Sequence, residues 1–466
     1  MKNTPPAFPA ASFLAFALVA GLSPCAHAQV CTSTGPDVAV GNVTAVTNYA
    51  SQGGIEAFSV GVDICNIGDA PADFYADNTN RHPVLAQGLF RYKSVGADGN
   101  ARFEQIGQSW CFHPFAPINQ ASCCSGCTPS GTDTLGARCA DPESSTFMGL
   151  PNFLGPKWQV NAATGAFAYP PANPPFSGSV ARRLQARISD LDPAQNGGGL
   201  YFAEVVAVSN SDAAAANHHN NASHRPVNIT GGGSEWTMAF AGATRRERAA
   251  IQAWREIDPA VSEAAVFVSG DGWFIVAGRA SQVDADTWHY EYAVENLSSD
   301  RSAGAFHVPV PPGVVVTEIG FHDVDYTNGD GPGNVNFSGT DWPGVVTGNS
   351  VRWATQTFAE NQGANALRWG TLYNFRFDAS TPPVVGEVNL ELFRPGTPSG
   401  ISVPGMPMPG GPPMCPADWN HDGAVSSQDF FDFLAAFFAL NADFNGDGMT
   451  SSQDFFDFLA SFLAGC

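Results

Sequence analysis

Twelve residues near the C-terminus have the types and spacing to hold metal ions. Two stretches, DWNHDGAVSSQDFFDFLAAF and DFNGDGMTSSQDFFDFLASF, start 25 positions apart. Each reads Asp-x-Asn-x-Asp-Gly and then, after five more residues, another Asp. In the first, Asp418, Asn420, Asp422 and Asp429 offer side-chain oxygens, Ala424 a backbone carbonyl, and Ser426 a hydroxyl acting directly or through water. The second places Asp443, Asn445, Asp447, Met449, Ser451 and Asp454 in the same roles. Hard Ca2+ takes about six to eight oxygen ligands, and oxygens at alternate positions let one loop wrap around it. Gly423 and Gly448 fall where such a loop must turn sharply, and apolar Ala424 and Met449 are tolerated where only a carbonyl is used. The spacing predicts two Ca2+ ions, one per loop.

The elements that carry these loops are duplicated too. Ser426–Ala435 recurs identically as Ser451–Ala460, which favours metal over the alternative that Asp, Asn and Gly here only make polar turns. Asp429 and Asp454 close their loops where a helix begins, so each also suits the helix dipole. From Cys415 to Cys466 there are eight Asp and no Lys or Arg, and such carboxylates repel one another unless a cation neutralises them. In the first helix Phe430, Phe433, Leu434 and Phe437 share one face that can pack on its twin. Phe431, Phe438 and, in the second helix, Phe456 lie to the side: either the helices pack with a wide apolar face, or Phe431 and Phe456 form a docking patch. Two halves related by a pseudo-two-fold would bring Cys415 near Cys466 and allow a disulfide clip.

This segment resembles dockerin modules, the paired calcium-loop-and-helix units at the ends of secreted bacterial proteins. The variant it is most similar to opens Cys-Pro-Ala-Asp, as residues 415–418 do, and ends Gly-Cys, as residues 465–466 do. Like that family, the chain closes each loop with Asp rather than Glu and has no helix entering the loop. The resemblance implies a small α module with paired EF-hand-like loops, calcium-dependent folding, and docking on a cohesin-like receptor or another cell-surface or scaffold partner. It departs from cellulosome dockerins in the segments flanking Phe430 and Phe455. Upstream, FEQIGQSW, RRLQARISDLDP and NALRWGTLYNFRFD resemble the uncharacterised N-terminal regions that precede such modules, which implies no activity.

Residues 1–28 read as a signal peptide, with Lys2, an apolar run from Ser12 to Leu22, and a small-x-small site at Ala26-His27-Ala28. A lipid anchor at Cys25 is the lesser alternative, since Pro24 suits it poorly. No later run reaches the roughly 18 apolar residues of a membrane helix. The reading is a secreted, extracellular or cell-surface protein without a membrane span. With 21 Lys+Arg against 43 Asp+Glu, the net charge of −22 repels phosphate backbones, so nucleic acid is not an expected partner. Export leaves seven cysteines in the body, an odd number, with disulfides the default. Cys111-x-His113 with Cys123-Cys124-x-x-Cys127 offers a zinc or copper alternative.

The body carries mostly strand signals, at Gly54–Asn66, Leu200–Ser209, Val266–Gly278, Trp288–Asn296, Leu372–Phe377 and Val388–Phe393. One helix is predicted over TRRERAAIQAWRE, with Thr244 and Glu247 as a capping box. The expected organisation is a mostly β body of two sandwich-like units, 29–260 and 261–394, then a Pro/Gly-rich spacer at 395–414 and the module at 415–466. No nucleophile elbow, zinc-protease, P-loop or dinucleotide motif appears. Glu104, Glu291, Asp323 and Asp341, and His82, His113, His289 and His322, read as solvated or satisfied residues. The expected function is a non-catalytic display or binding protein tethered by its module. The alternative is a dockerin-bearing carbohydrate-active enzyme, with polysaccharide as ligand or substrate and paired carboxylates on the body.

Overall fold

The computed structural model describes residues 31–75, 79–94, 101–192, 195–411, 415–420 and 424–465. The signal peptide read at 1–28 lies outside the described residues. Eight main strands build the first half: β1 (Val38–Gln52), β2 (Ile55–Asn66), β3 (Val84–Ser94), β4 (Ala101–Gln108), β5 (Leu184–Arg187), β6 (Leu200–Val208), β7 (Ala222–Gly232) and β8 (Glu235–Phe240). They form one antiparallel sheet in the order β1-β2-β5-β4-β3-β6-β7-β8. The sheet curls until its ends meet. Asn48 of β1 accepts the Met238 N–H at 2.7 Å and donates to the Met238 carbonyl at 3.3 Å, while Glu56 accepts the Trp236 N–H at 2.8 Å. Alternate residues Phe58, Val60, Val62 and Ile64 of β2 then fill the inside with Val38, Val40 and Val43.

A short helix, α1 (Gln252–Ile257), leads into the second half. There follow β9 (Ser262–Phe267), β10 (Trp273–Gln282), β11 (Trp288–Asn296), β12 (Ala303–Pro309), β13 (Val316–His322), β14 (Gly344–Thr347), β15 (Ser350–Ala354), β16 (Thr371–Ala379), β17 (Pro383–Leu392) and β18 (Gly400–Pro409). Two five-stranded sheets, β9-β10-β11-β16-β13 and β14-β15-β12-β17-β18, pack around Tyr290, Tyr292, Phe306, Trp353, Phe375 and Val403. This half is a β-sandwich, and the mostly β body matches the sequence reading. A further apolar cluster joins the halves, with Phe90, Phe103 and Phe202 against Trp254, Ile275, Ala293 and Leu372. Gln105 accepts the Leu372 N–H at 2.7 Å and Asn374 donates to the Phe103 carbonyl at 2.8 Å across the same contact.

Two elements differ from expectation. The helix spans only Gln252–Ile257, because Glu247 takes a φ of +56° and Thr244 donates its hydroxyl to Asn42 at 2.7 Å, so no capping box forms between them. The spacer at 395–414 is also corrected: Gly400–Pro409 is β18, paired with β17 at the edge of a sheet. Proline lacks the N–H of a central strand but is tolerated at an edge. Val403 and Met406 are fully buried, so this strand belongs to the core.

The C-terminal module holds α2 (Ser427–Phe438) and α3 (Ser452–Ala464). Phe433 and Phe458 are fully buried and stack at 3.9 Å between centroids, while Trp419 packs edge-on to Phe433 at 5.0 Å. Each helix is capped by a serine, Ser426 or Ser451, and each cap is completed by the acid at N3, Asp429 or Asp454.

Candidate functional site

The closing acids organise both loops in the same way. Asp429 accepts the Asn420 N–H at 3.2 Å on one oxygen and the Ser426 N–H at 2.8 Å on the other. Asp454 accepts the Asn445 N–H at 3.1 Å and the Ser451 N–H at 2.7 Å, and also the Phe444 N–H at 2.9 Å. Each carboxylate therefore ties the start of its loop to the helix that follows, and both are covered from solvent. Burial alone would raise these acids, but the backbone N–H donors outweigh it and hold both below the usual carboxyl range.

In the second loop the remaining oxygens turn on the backbone. Asp443 accepts the Asp447 and Gly448 N–H groups at 3.0 and 2.7 Å, Asn445 accepts Asp447 at 2.9 Å, and Asp447 accepts Met449 at 2.9 Å. Gly448 has φ +87°, the left-handed turn that glycine adopts without strain. In the first loop Asp418 is nearly buried, Ala424 is exposed and Ser426 is the cap. Asp422 and Gly423 lie outside the described residues. The donors are all oxygen, which suits a hard cation. Among the described residues, no three His, Cys, Asp or Glu side chains gather into a ready metal cluster.

At the rim, Phe431 and Phe456 occupy equivalent positions of α2 and α3 and are 62% and 60% exposed. Cys415 is disulfide-bonded, and Cys466, its expected partner, lies outside the described residues.

The cysteine cluster of the body forms disulfides: Cys31–Cys124, Cys65–Cys123 and Cys127–Cys139. A Cβ at Gly41 would fall on the Cys65 sulfur and lie 2.7 Å from that of Cys123, so β1 approaches this bridge only through glycine. Cys111 is the unpaired, buried thiol among the described residues, and burial pushes it up to about 12. His113 pairs with His82 at 3.1 Å inside an aromatic cage, and burial lowers the two rings to about 3 and about 4.

Glu104 and Glu291 are not solvated as the sequence suggested. Glu104 on β4 meets Arg91 at 2.5 Å, Lys93 at 2.9 Å and His322 at 3.0 Å. Glu291 on β11 pairs with Arg102 at 2.8 Å, and His289 joins it to Asp378 at 3.3 and 2.6 Å. Burial works against ionising both glutamates, yet these partners hold them below the usual range. Asp323 and Asp341 line a cleft of about 320 Å3 between the halves, with Arg102, Arg187, Asp190 and His322. Burial pushes Asp323 up to about 6, against the amide donated by Asn365.

No protein-family model matches this chain, and no curated protein does. Among solved structures it is similar to a serine-rich repeat adhesion glycoprotein from Streptococcus agalactiae, at 8% identity over 80% of this chain and 98% of that one, with a TM-score of 0.20. It is also similar to an exo-chitosanase from Amycolatopsis orientalis, at 9% identity over 77% of this chain and 26% of that one, with a TM-score of 0.13.

Proposed function

We propose that the chain is an exported, non-catalytic display or binding protein whose β-rich body is tethered to a cell-surface or scaffold receptor by a calcium-ordered, dockerin-type module. The observation that carries this reading is the matched role of Asp429 and Asp454, each joining a donor-rich loop to the helix it opens. Bound Ca2+ would supply the positive charge that the eight carboxylates of this segment lack from Lys or Arg. Six residues per loop, from Asp418 to Asp429 and from Asp443 to Asp454, would hold the ions. Phe431 and Phe456, exposed at equivalent places, would form the docking face. The test is attachment of the full-length protein to the surface of cells that export it. Attachment should need Ca2+ and be lost in Phe431→Ser/Phe456→Ser, with Ca2+ binding intact. Attachment that survives both EDTA and the double variant overturns the tether.

A second reading, a dockerin-bearing carbohydrate-active enzyme, is favoured by the cleft that Asp323 and Asp341 share. Release of sugars from polysaccharides by the full-length protein, abolished by Asp323→Asn, would support it over the first.

A further inference from the structure

Two carboxyl groups meet inside the apolar contact between the halves. Glu204 stands in the middle of β6, in LYFAEVVAV, and Glu295 near the end of β11, in WHYEYAVEN. The strands belong to different halves, yet the two side chains hydrogen-bond to each other. Both residues are almost wholly covered, at 2% and 1% exposure. Phe202 and Val206 flank Glu204 on its face of β6, and Ala293 flanks Glu295. Ile275 and Leu372 stand beside Glu295 on the neighbouring strands, in the same apolar cluster.

The segment that links the halves completes the arrangement. The Ala250 N–H donates to Glu204 Oε2, and the next N–H, that of Ile251, donates to Glu295 Oε2 at 3.4 Å. One carboxyl from each half is thus tied to successive residues just ahead of α1. Glu295 Oε1 is covered and, as a carboxylate oxygen, has no partner. Two carboxylates hold no donor between them, so a hydrogen bond from one to the other requires a proton.

Few charges face the pair. Lys157 favours ionised Glu204, whereas Glu263 of β9, held by the Gln252 amide at 2.8 Å, opposes ionisation of Glu295. His224, opposite Glu204 in β7, keeps its Nδ1 on the Arg248 carbonyl at 2.9 Å, and burial lowers it to about 4, which leaves it neutral. Glu291 shares the Glu295 face of β11 but is paired with Arg102. None of the ion pairs among the described residues reaches Glu204 or Glu295. Burial therefore raises both acids above the ordinary 4.5, Glu204 to about 7.

We propose that Glu204 and Glu295 form a proton-operated clamp between the halves. A proton held between the two carboxyls keeps them and the segment at 250–251 together, and its loss sets two like charges against each other in an apolar contact. Acids raised on folding add their full stability below the ordinary value, and that stability is lost as pH rises through the folded values. The clamp is closed in acid and loosens as pH rises past about 7, the opposite sense to Glu291.

The test is urea unfolding of the full-length protein in Ca2+, at pH about 5 and about 9. Glu295→Gln keeps the shape of the side chain and offers Glu204 an amide donor at every pH, and Glu204→Gln does the same in reverse. The urea midpoint of the parent should fall from the acid to the alkaline condition, and each variant should lose most of that fall. Glu143 and Asp212, both raised by burial to about 8, titrate in the same sense, so the difference between parent and variant decides rather than the fall itself. A fall of unchanged size in both variants overturns the clamp. Failure of both to fold in acid overturns it too, because an amide closely replaces a neutral carboxyl and fails only where a charge is needed. In the alkaline condition trypsin should cut at Arg245, Arg248 or Arg255, in the linking segment, several-fold faster in the parent than in Glu295→Gln. Equal rates would place the lost stability outside the contact between the halves and contradict the proposal.

Discussion

Glu291 shows how a strand's second face acquires meaning only from its partner. In WHYEYAVEN, alternation puts Tyr290, Tyr292 and Val294 on one face, and these fill the sandwich core as the pattern predicts. The other face carries Glu291, Ala293 and Glu295, and it is buried against the first half. The guanidinium that receives Glu291 lies 189 residues earlier, at Arg102, a separation that no periodicity encodes. Glu291→Gln should therefore cost about 3 kcal/mol in urea unfolding, because it leaves Arg102 buried with only the more distant Glu104, at 3.8 Å, as counter-charge. Arg102→Met/Glu291→Met should cost much less. Since the pairing holds Glu291 below its ordinary value of 4.5, it adds stability above that value that is lost as pH falls beneath it. Urea titrations at pH 7 and in that acid range check the sign, and the Gln variant should show the smaller pH dependence.

At the scale of elements, α2 and α3 were readable because a helical period, a serine cap and an acid at N3 coincide twice. Of the face expected at Phe430, Phe433, Leu434 and Phe437, Phe433 is wholly covered and Phe430 and Phe437 pack against it, whereas Leu434 is half-buried outside that cluster and Phe431 is exposed. Phe433→Ala should unfold the module, a loss of about 3–5 kcal/mol from so small a core, seen as lost helicity. Phe431→Ser should leave helicity unchanged. Acid should act on the module too: Asp429 and Asp454 lie below the ordinary 3.8, so their bonds stabilise it above that value and fail as pH drops further. The last body strand was not readable, because Pro404, Pro407 and Pro409 resemble a spacer in composition. Its edge position removes the need for their N–H groups, and the buried Met406 gives it an inward face. Met406→Ala should destabilise the body by about 2–5 kcal/mol in thermal or urea unfolding, whereas a spacer would show no effect.

For the whole molecule, composition conveyed a β-rich chain with disulfides, and three bridges stand in the body. No described helix is long and apolar enough to cross a membrane. How tightly the two halves join was hidden, since the apolar residues of that contact, such as Phe103 and Leu372, read in sequence as ordinary core positions. The β-rich body and the small acidic module should respond separately to calcium. The most direct measurement is amide hydrogen exchange on the full-length protein, with Ca2+ and then with EDTA. Protection in α2 and α3 should collapse in EDTA and return with Ca2+, while β10, β11 and β16 stay protected. Equal protection of α2 and α3 in both conditions would contradict a calcium-ordered module.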